Sequence, residues 1–175
     1  ETVRLLESAD IPQRDLVDIT LRLNDPGVPI PQAVRHTPWD FQIGEAHQFW
    51  VSNEDTRENF QITACLVYET PHTYFFVEEG LNLNEDKLKR MADRFESKTY
   101  PTDREFFGSE WTPGVDSDPH LTVLFARNLG SSVAGYYNSM DEFSHLVHRY
   151  SNATGLFVCI SSPLQTEPSL NANVS

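Results

Sequence analysis

Apolar and polar positions along this chain change period several times, and each change marks an element. Leu16, Ile19 and Leu23 recur at helical spacing behind Pro12, which predicts a helix that Asp25-Pro26-Gly27 stops. Four prolines between Pro26 and Pro38 then predict an extended strap, able to lie across a surface but not to join a sheet interior. Three strand-like runs follow at 48–52, 60–69 and 73–78. Their short connections, Asn53-Glu54-Asp55 and Thr70-Pro71-His72, favour antiparallel neighbours.

The period then lengthens. Asn84 is a good N-cap, Glu85 and Asp86 suit a first turn, and Leu88, Met91, Ala92 and Phe95 form an i, i+3, i+4, i+7 stripe. Tyr100-Pro101 is expected to end that helix. The run 121–126 (LTVLFA) predicts a buried strand, parallel to the run at Thr73 across the helix. Val133, Ala134, Gly135, Tyr136, Tyr137 and Asn138 predict an edge strand, with Gly135 leaving room for a close backbone approach and the two tyrosines on opposite faces. Ser139-Met140-Asp141-Glu142 has the form of a capping box and predicts a helix striped by Phe143, Leu146, Val147 and Tyr150. The last strand is expected at 156–160, and the Ser/Pro/Asn-rich stretch 161–175 is expected to be loose. The pattern divides the chain into an N-terminal helix and Pro-rich strap (1–40), a mixed-sheet domain (41–160) and a polar tail (161–175). The fold class is α/β, in the sense of an α+β mixed sheet with helices.

Composition narrows the partners. The 175 residues hold 26 Asp+Glu against 13 Lys+Arg, a formal net charge of -13, so the basic stripe that a nucleic acid or an anionic membrane requires is missing. The ordinary meaning of such acidity is solubility. No apolar run approaches the roughly 20 residues needed to span a bilayer. The chain opens at Glu1 with neither a methionine nor a signal-peptide pattern, and is therefore expected to be a processed or cut piece. Cys65 and Cys159 lie in apolar strand-like runs and are expected to be buried thiols, a disulfide between neighbouring strands being the alternative.

Candidate chemistry is sparse. A peptidase zinc helix needs two His at i, i+4 with a Glu between them, and no H-E-x-x-H occurs. Glu142-x-x-His145-x-x-His148 comes nearest, but on a helix both histidines would face away from the Phe143 stripe, towards water. His36, His47, His72 and His120 stand singly near turns. Gly108-Ser109-Glu110 and Gly130-Ser131-Ser132 lack the G-x-S-x-G elbow of a serine nucleophile. Asp116 and Asp118, in GVDSDP, have the alternating spacing of calcium ligands, with an Asx-type turn before Pro119 as the competing and stronger reading. Asn152-Ala153-Thr154 fits the glycosylation sequon.

Whole phrases carry more than single residues. Tyr100-Pro101-Thr102-Asp103-Arg104 with Phe107-Gly108-Ser109-Glu110-Trp111, and then Ala134-Gly135-Tyr136, are long strings of low degeneracy. The stretch from about Arg14 to about Val158 resembles the region upstream of the zinc helix in large secreted bacterial peptidases, zincins of the immune inhibitor A-like type. The resemblance implies an incomplete zincin-like upper subdomain: a twisted mixed sheet backed by helices, with Val133, Ala134, Gly135, Tyr136 and Tyr137 as the substrate-binding edge. It implies a secreted or extracellular metallopeptidase-like hydrolase that acts on an extended peptide or protein substrate. The full-length family carries zinc, whereas this chain is expected to hold no cofactor, because Pro163, Pro168 and a polar tail stand where the zinc helix would follow. Two readings result: the non-catalytic front portion of a zinc endopeptidase with the rest of the chain missing, or a non-catalytic peptide-binding accessory domain.

Overall fold

A computed structural model describes residues 15–160. In chain order the elements are α1 (Leu16–Leu23), β1 (Ala46–Asn53), β2 (Glu58–Thr70), β3 (Thr73–Glu78), α2 (Glu85–Arg94), a π-turn (Phe95–Thr99) and α3 (Tyr100–Phe107). Then follow β4 (Leu121–Ala126), β5 (Gly135–Tyr137), a 3-10 turn (Ser139–Glu142) and β6 (Leu156–Ile160). The strands form one six-stranded mixed sheet in the order β1-β2-β3-β4-β6-β5. β1, β2 and β3 are an antiparallel meander, β3, β4 and β6 run parallel, and β5 returns antiparallel to β6 as the edge. This is an α+β fold.

The sheet is held by apolar rows that cross it. Leu66, Phe76, Leu124, Val158 and Tyr136 face one another in register from β2 to β5. Leu66, Phe76 and Leu124 are fully buried, and each side chain contributes about 1.5–3 kcal/mol of transfer free energy. Trp39, at the end of the strap, and Phe41, just after it, stack at 4.7 Å over this face and complete it. On the opposite face Phe75, Val77 and Phe125 receive Leu88 and Ala92 of α2. The TYFFVE run of β3 is apolar without alternation because both faces of that strand are covered.

Several elements depart from the sequence pattern, each for a visible reason. In α1 the buried residue is Thr20, while Ile19 is 37% and Leu23 79% exposed, so the predicted apolar stripe is not the packed face. Pro12 lies outside the described residues, and the observed N-cap is Asp15, which accepts from the Val17 and Asp18 amides. Tyr100-Pro101 does not end the second helix. The chain widens into the π-turn, where the Tyr100 amide bonds to Phe95 O, and Pro101 sits in the first turn of α3. The wider turn spares the ring a clash with the preceding carbonyls. The capping box at Ser139 opens no helix: Asn138 caps a single 3-10 turn, and Phe143 is extended. The Ser151 hydroxyl takes the Phe143 and Asp141 carbonyls that a helix would have used. The tail expected at 161–175 lies outside the described residues.

Cys65 is a free thiol. It shares a transverse row with Cys159, but β3 and β4 lie between them. Three strand spacings separate the two backbones by about 14 Å, beyond the reach of a disulfide.

Replacing Leu124 by Ala is expected to cost about 2–5 kcal/mol in urea unfolding, because a filled position in the central row becomes a cavity. Leu23→Ala, on the exposed side of α1, is expected to change stability by no more than about 0.5 kcal/mol. Equal effects for the two variants would contradict the packing described.

Candidate functional site

β3, β4 and β6 begin at one end of the sheet, and β5 finishes there, so their connecting loops converge. The first of these loops hangs from α3. Tyr100 donates to Glu110 Oε1, Arg104 donates to the Tyr100 hydroxyl at 3.1 Å, and a second Arg104 nitrogen reaches Ser109 Oγ at 2.8 Å. Burial works against the charge on Glu110, yet the Tyr100 hydrogen bond and Arg104 hold its pKa below the ordinary value. The most distinctive string in the sequence is thus a clamp that fixes the approach to Trp111.

The next turn is organised by Asp118. Its Oδ1 accepts from the His120 amide at 2.9 Å and meets His120 Nδ1 at 2.6 Å. Its Oδ2 accepts from the Trp39 amide at 2.7 Å and the Tyr74 hydroxyl at 3.3 Å. The His120 ring stacks on Tyr74 at 4.3 Å, and its Nε2 lies 4.0 Å from Glu69. The imidazole is therefore held in one orientation between two carboxylates. Asp116 makes the expected Asx-type turn, accepting from the Asp118 amide at 3.2 Å. It is 2% exposed, and its Oδ2 has no hydrogen bond. Burial raises its pKa, while the Thr154 side chain beside it offsets part of that shift without a bond of good geometry.

A third buried carboxylate was not legible in the sequence. Asp141, expected in the first turn of a helix, is 2% exposed and accepts from the Asn152 amide at 2.6 Å and from Asn152 Nδ2 at 3.0 Å. Asn152 in turn bonds both backbone groups of Trp50, at 2.7 and 2.9 Å, and so anchors the 138–155 loops to β1. Burial lifts the Asp141 pKa to about 6.

The edge strand is shorter than the run from Val133 to Asn138 suggested. Only Gly135, Tyr136 and Tyr137 pair with β6. Val133 and Ala134 precede the strand because the Gly130 turn is tied to Asp55, which accepts from the Ser131 amide at 2.7 Å. Asn138 leaves the strand as the cap of the 3-10 turn. Tyr136 packs on the core and its hydroxyl accepts from the Ser52 amide at 2.8 Å, whereas Tyr137, on the opposite face, is 43% exposed and bonds Glu142. Between Tyr137 and the Asp116 turn lies a cleft of about 160 Å³, with Trp111 and Glu142 also in its wall. The edge strand and the aspartate pair, unrelated in the sequence, therefore meet in one place.

The histidines do not gather. His145 is exposed, and His148 is partly covered, with Nδ1 buried and unbonded and its pKa lowered by desolvation. Among the described residues no three His, Cys, Asp or Glu side chains lie close enough to hold a metal ion, and no helix is long and apolar enough to cross a membrane. No protein-family model matches the chain, and no curated protein matches it significantly.

Folded Asp141 keeps its proton up to about pH 6, whereas the unfolded residue releases it near 3.8. The folded state binds more protons in that window, so this residue makes stability fall as pH rises from about 4 to about 6, by at most about 3 kcal/mol. Asp141→Asn keeps the Oδ1 acceptor and is expected to flatten that part of the profile in urea titrations. An unchanged slope would remove Asp141 as its source.

Proposed function

We propose that this chain is the non-catalytic, cleft-forming front portion of a secreted zinc endopeptidase, presenting β5 to an extended peptide. The observation that carries the reading is the place of β5. It ends the sheet, pairs on one side with β6, and among the described residues has no strand on its other side. Its Gly135 is exposed, and its last residue opens onto the cleft. A strand so placed offers backbone donors and acceptors to a bound peptide, giving affinity with little sequence preference. The strings at 100–104, 107–111 and 134–136 support the peptidase context by resemblance.

The described residues do not offer a zinc centre, and the sequence has no H-E-x-x-H. Hydrolysis is accordingly not assigned to this chain. The same sequence feature favours a second reading, an accessory peptide-binding domain that uses the sheet edge without chemistry. An H-E-x-x-H encoded within a few tens of codons beyond Ser175 supports the front-portion reading, and its absence favours the accessory domain.

Titration of the labelled protein with unstructured peptides is expected to move the amides of residues 133–138, with weak affinity. Tyr137→Ala is expected to weaken binding modestly and leave the fold intact. Casein is expected to remain uncleaved with or without added zinc, because water activation needs a bound metal. Amides 133–138 that stay still while other surfaces respond would refute the edge-strand reading.

A further inference from the structure

The cleft beside Tyr137 carries an imbalance of charge. Glu110 is answered by Arg104 at 3.7 Å, and Asp118 by four donors. Among the described residues no basic side chain pairs with Asp116 or Glu142. Asp116 is 2% exposed, lines the cleft, and has a buried oxygen without a hydrogen bond. Glu142 accepts from the Tyr137 hydroxyl through Oε1. Among the described residues no Lys or Arg lines the cleft, and the basic group that does, His120, is bound to Asp118.

Its walls narrow the occupant further. Trp111 and Tyr137 line it and are 47% and 43% exposed as whole residues, and aromatic faces attract guanidinium and ammonium groups. A volume of about 160 Å³ falls below the roughly 300 Å³ at which small-molecule sites begin, and suits a single side chain. A metal ion is poorly served, since no three acidic or imidazole groups converge among the described residues.

We propose that this cleft is a subsite for a basic side chain, arginine or lysine, of the peptide that pairs with β5. The proposal rests on the edge-strand reading and adds a sequence preference to it. The peptide's cation meets the exposed Glu142 carboxylate, with the buried Asp116 carboxylate behind the wall and the cation's stem against Trp111 and Tyr137. Attraction of this kind is screened by salt.

Two probes test it: N-acetyl-arginine N-methylamide, and a pair of extended peptides differing only by arginine or norleucine at one position. The arginine amide is expected to shift the Trp111 indole and Tyr137 amide signals. The arginine peptide is expected to bind about fivefold to tenfold more tightly than the norleucine peptide, the scale of one ion pair plus one cation–aromatic contact. Glu142→Gln, at an exposed position, is expected to remove much of that difference while the spectrum stays that of a folded chain. Asp116→Asn is expected to do the same wherever its spectrum is native. Equal affinities for the two peptides, with amides 133–138 moving for both, would overturn the subsite and leave the edge-strand reading standing. An arginine amide in the cleft with amides 133–138 still for every peptide would sink the edge-strand reading and the peptide assignment together. Calcium that saturates the Trp111 signal while the arginine amide leaves it unmoved would make this a metal site and refute the proposal.

Discussion

The Asp118 carboxylate is the constraint on which the working end of this fold depends. Four donors from three parts of the chain meet on its two oxygens: the strap at Trp39, β3 at Tyr74, and the entry to β4 at His120. A buried carboxylate is costly unless it is fully hydrogen-bonded, and here both oxygens are satisfied. Each oxygen has two donors, so the strap, the sheet and the loop are tied to one another through a single buried group. The strap then carries Trp39 and Phe41 onto the sheet, and the loop carries Trp111 and Asp116 towards the edge strand.

Asp141 repeats the device on the neighbouring loop through Asn152. The strong acidity of the sequence therefore has two components. Most of it is solvated and serves solubility, but Asp116, Asp118 and Asp141 are structural, each at most 5% exposed. Composition alone treats these as one population, because a carboxylate that anchors a loop and one that faces water are the same letter.

The sheet was legible wherever neighbouring residues decide the outcome. The β1–β3 meander follows from short connections between alternating runs, and the parallel placement of β4 from the helix that separates it from β3. The sequence failed where distant groups intervene. Pro101 was expected to stop a helix that a π-turn instead carries past it. The residues after Ser139 have a helical period, but Ser151 competes for the carbonyls from eight and ten positions away. The candidate site was half legible: the edge strand and the Asp116–Asp118 pattern stood out separately, and only the parallel register of β4 and β6 brings them to one cleft.

The Asn152 amide has a consequence for how this chain can be made. Its nitrogen already spends its hydrogens on Trp50 O and on Asp141, yet it is the same nitrogen to which an oligosaccharyltransferase would attach sugar. A glycan there leaves one N–H for two acceptors and forces a bulky, hydrated group against β1 and a buried carboxylate. Since the tripeptide is intact, passage through a eukaryotic secretory compartment sets modification against folding at this residue, a conflict that a host without N-glycosylation does not impose.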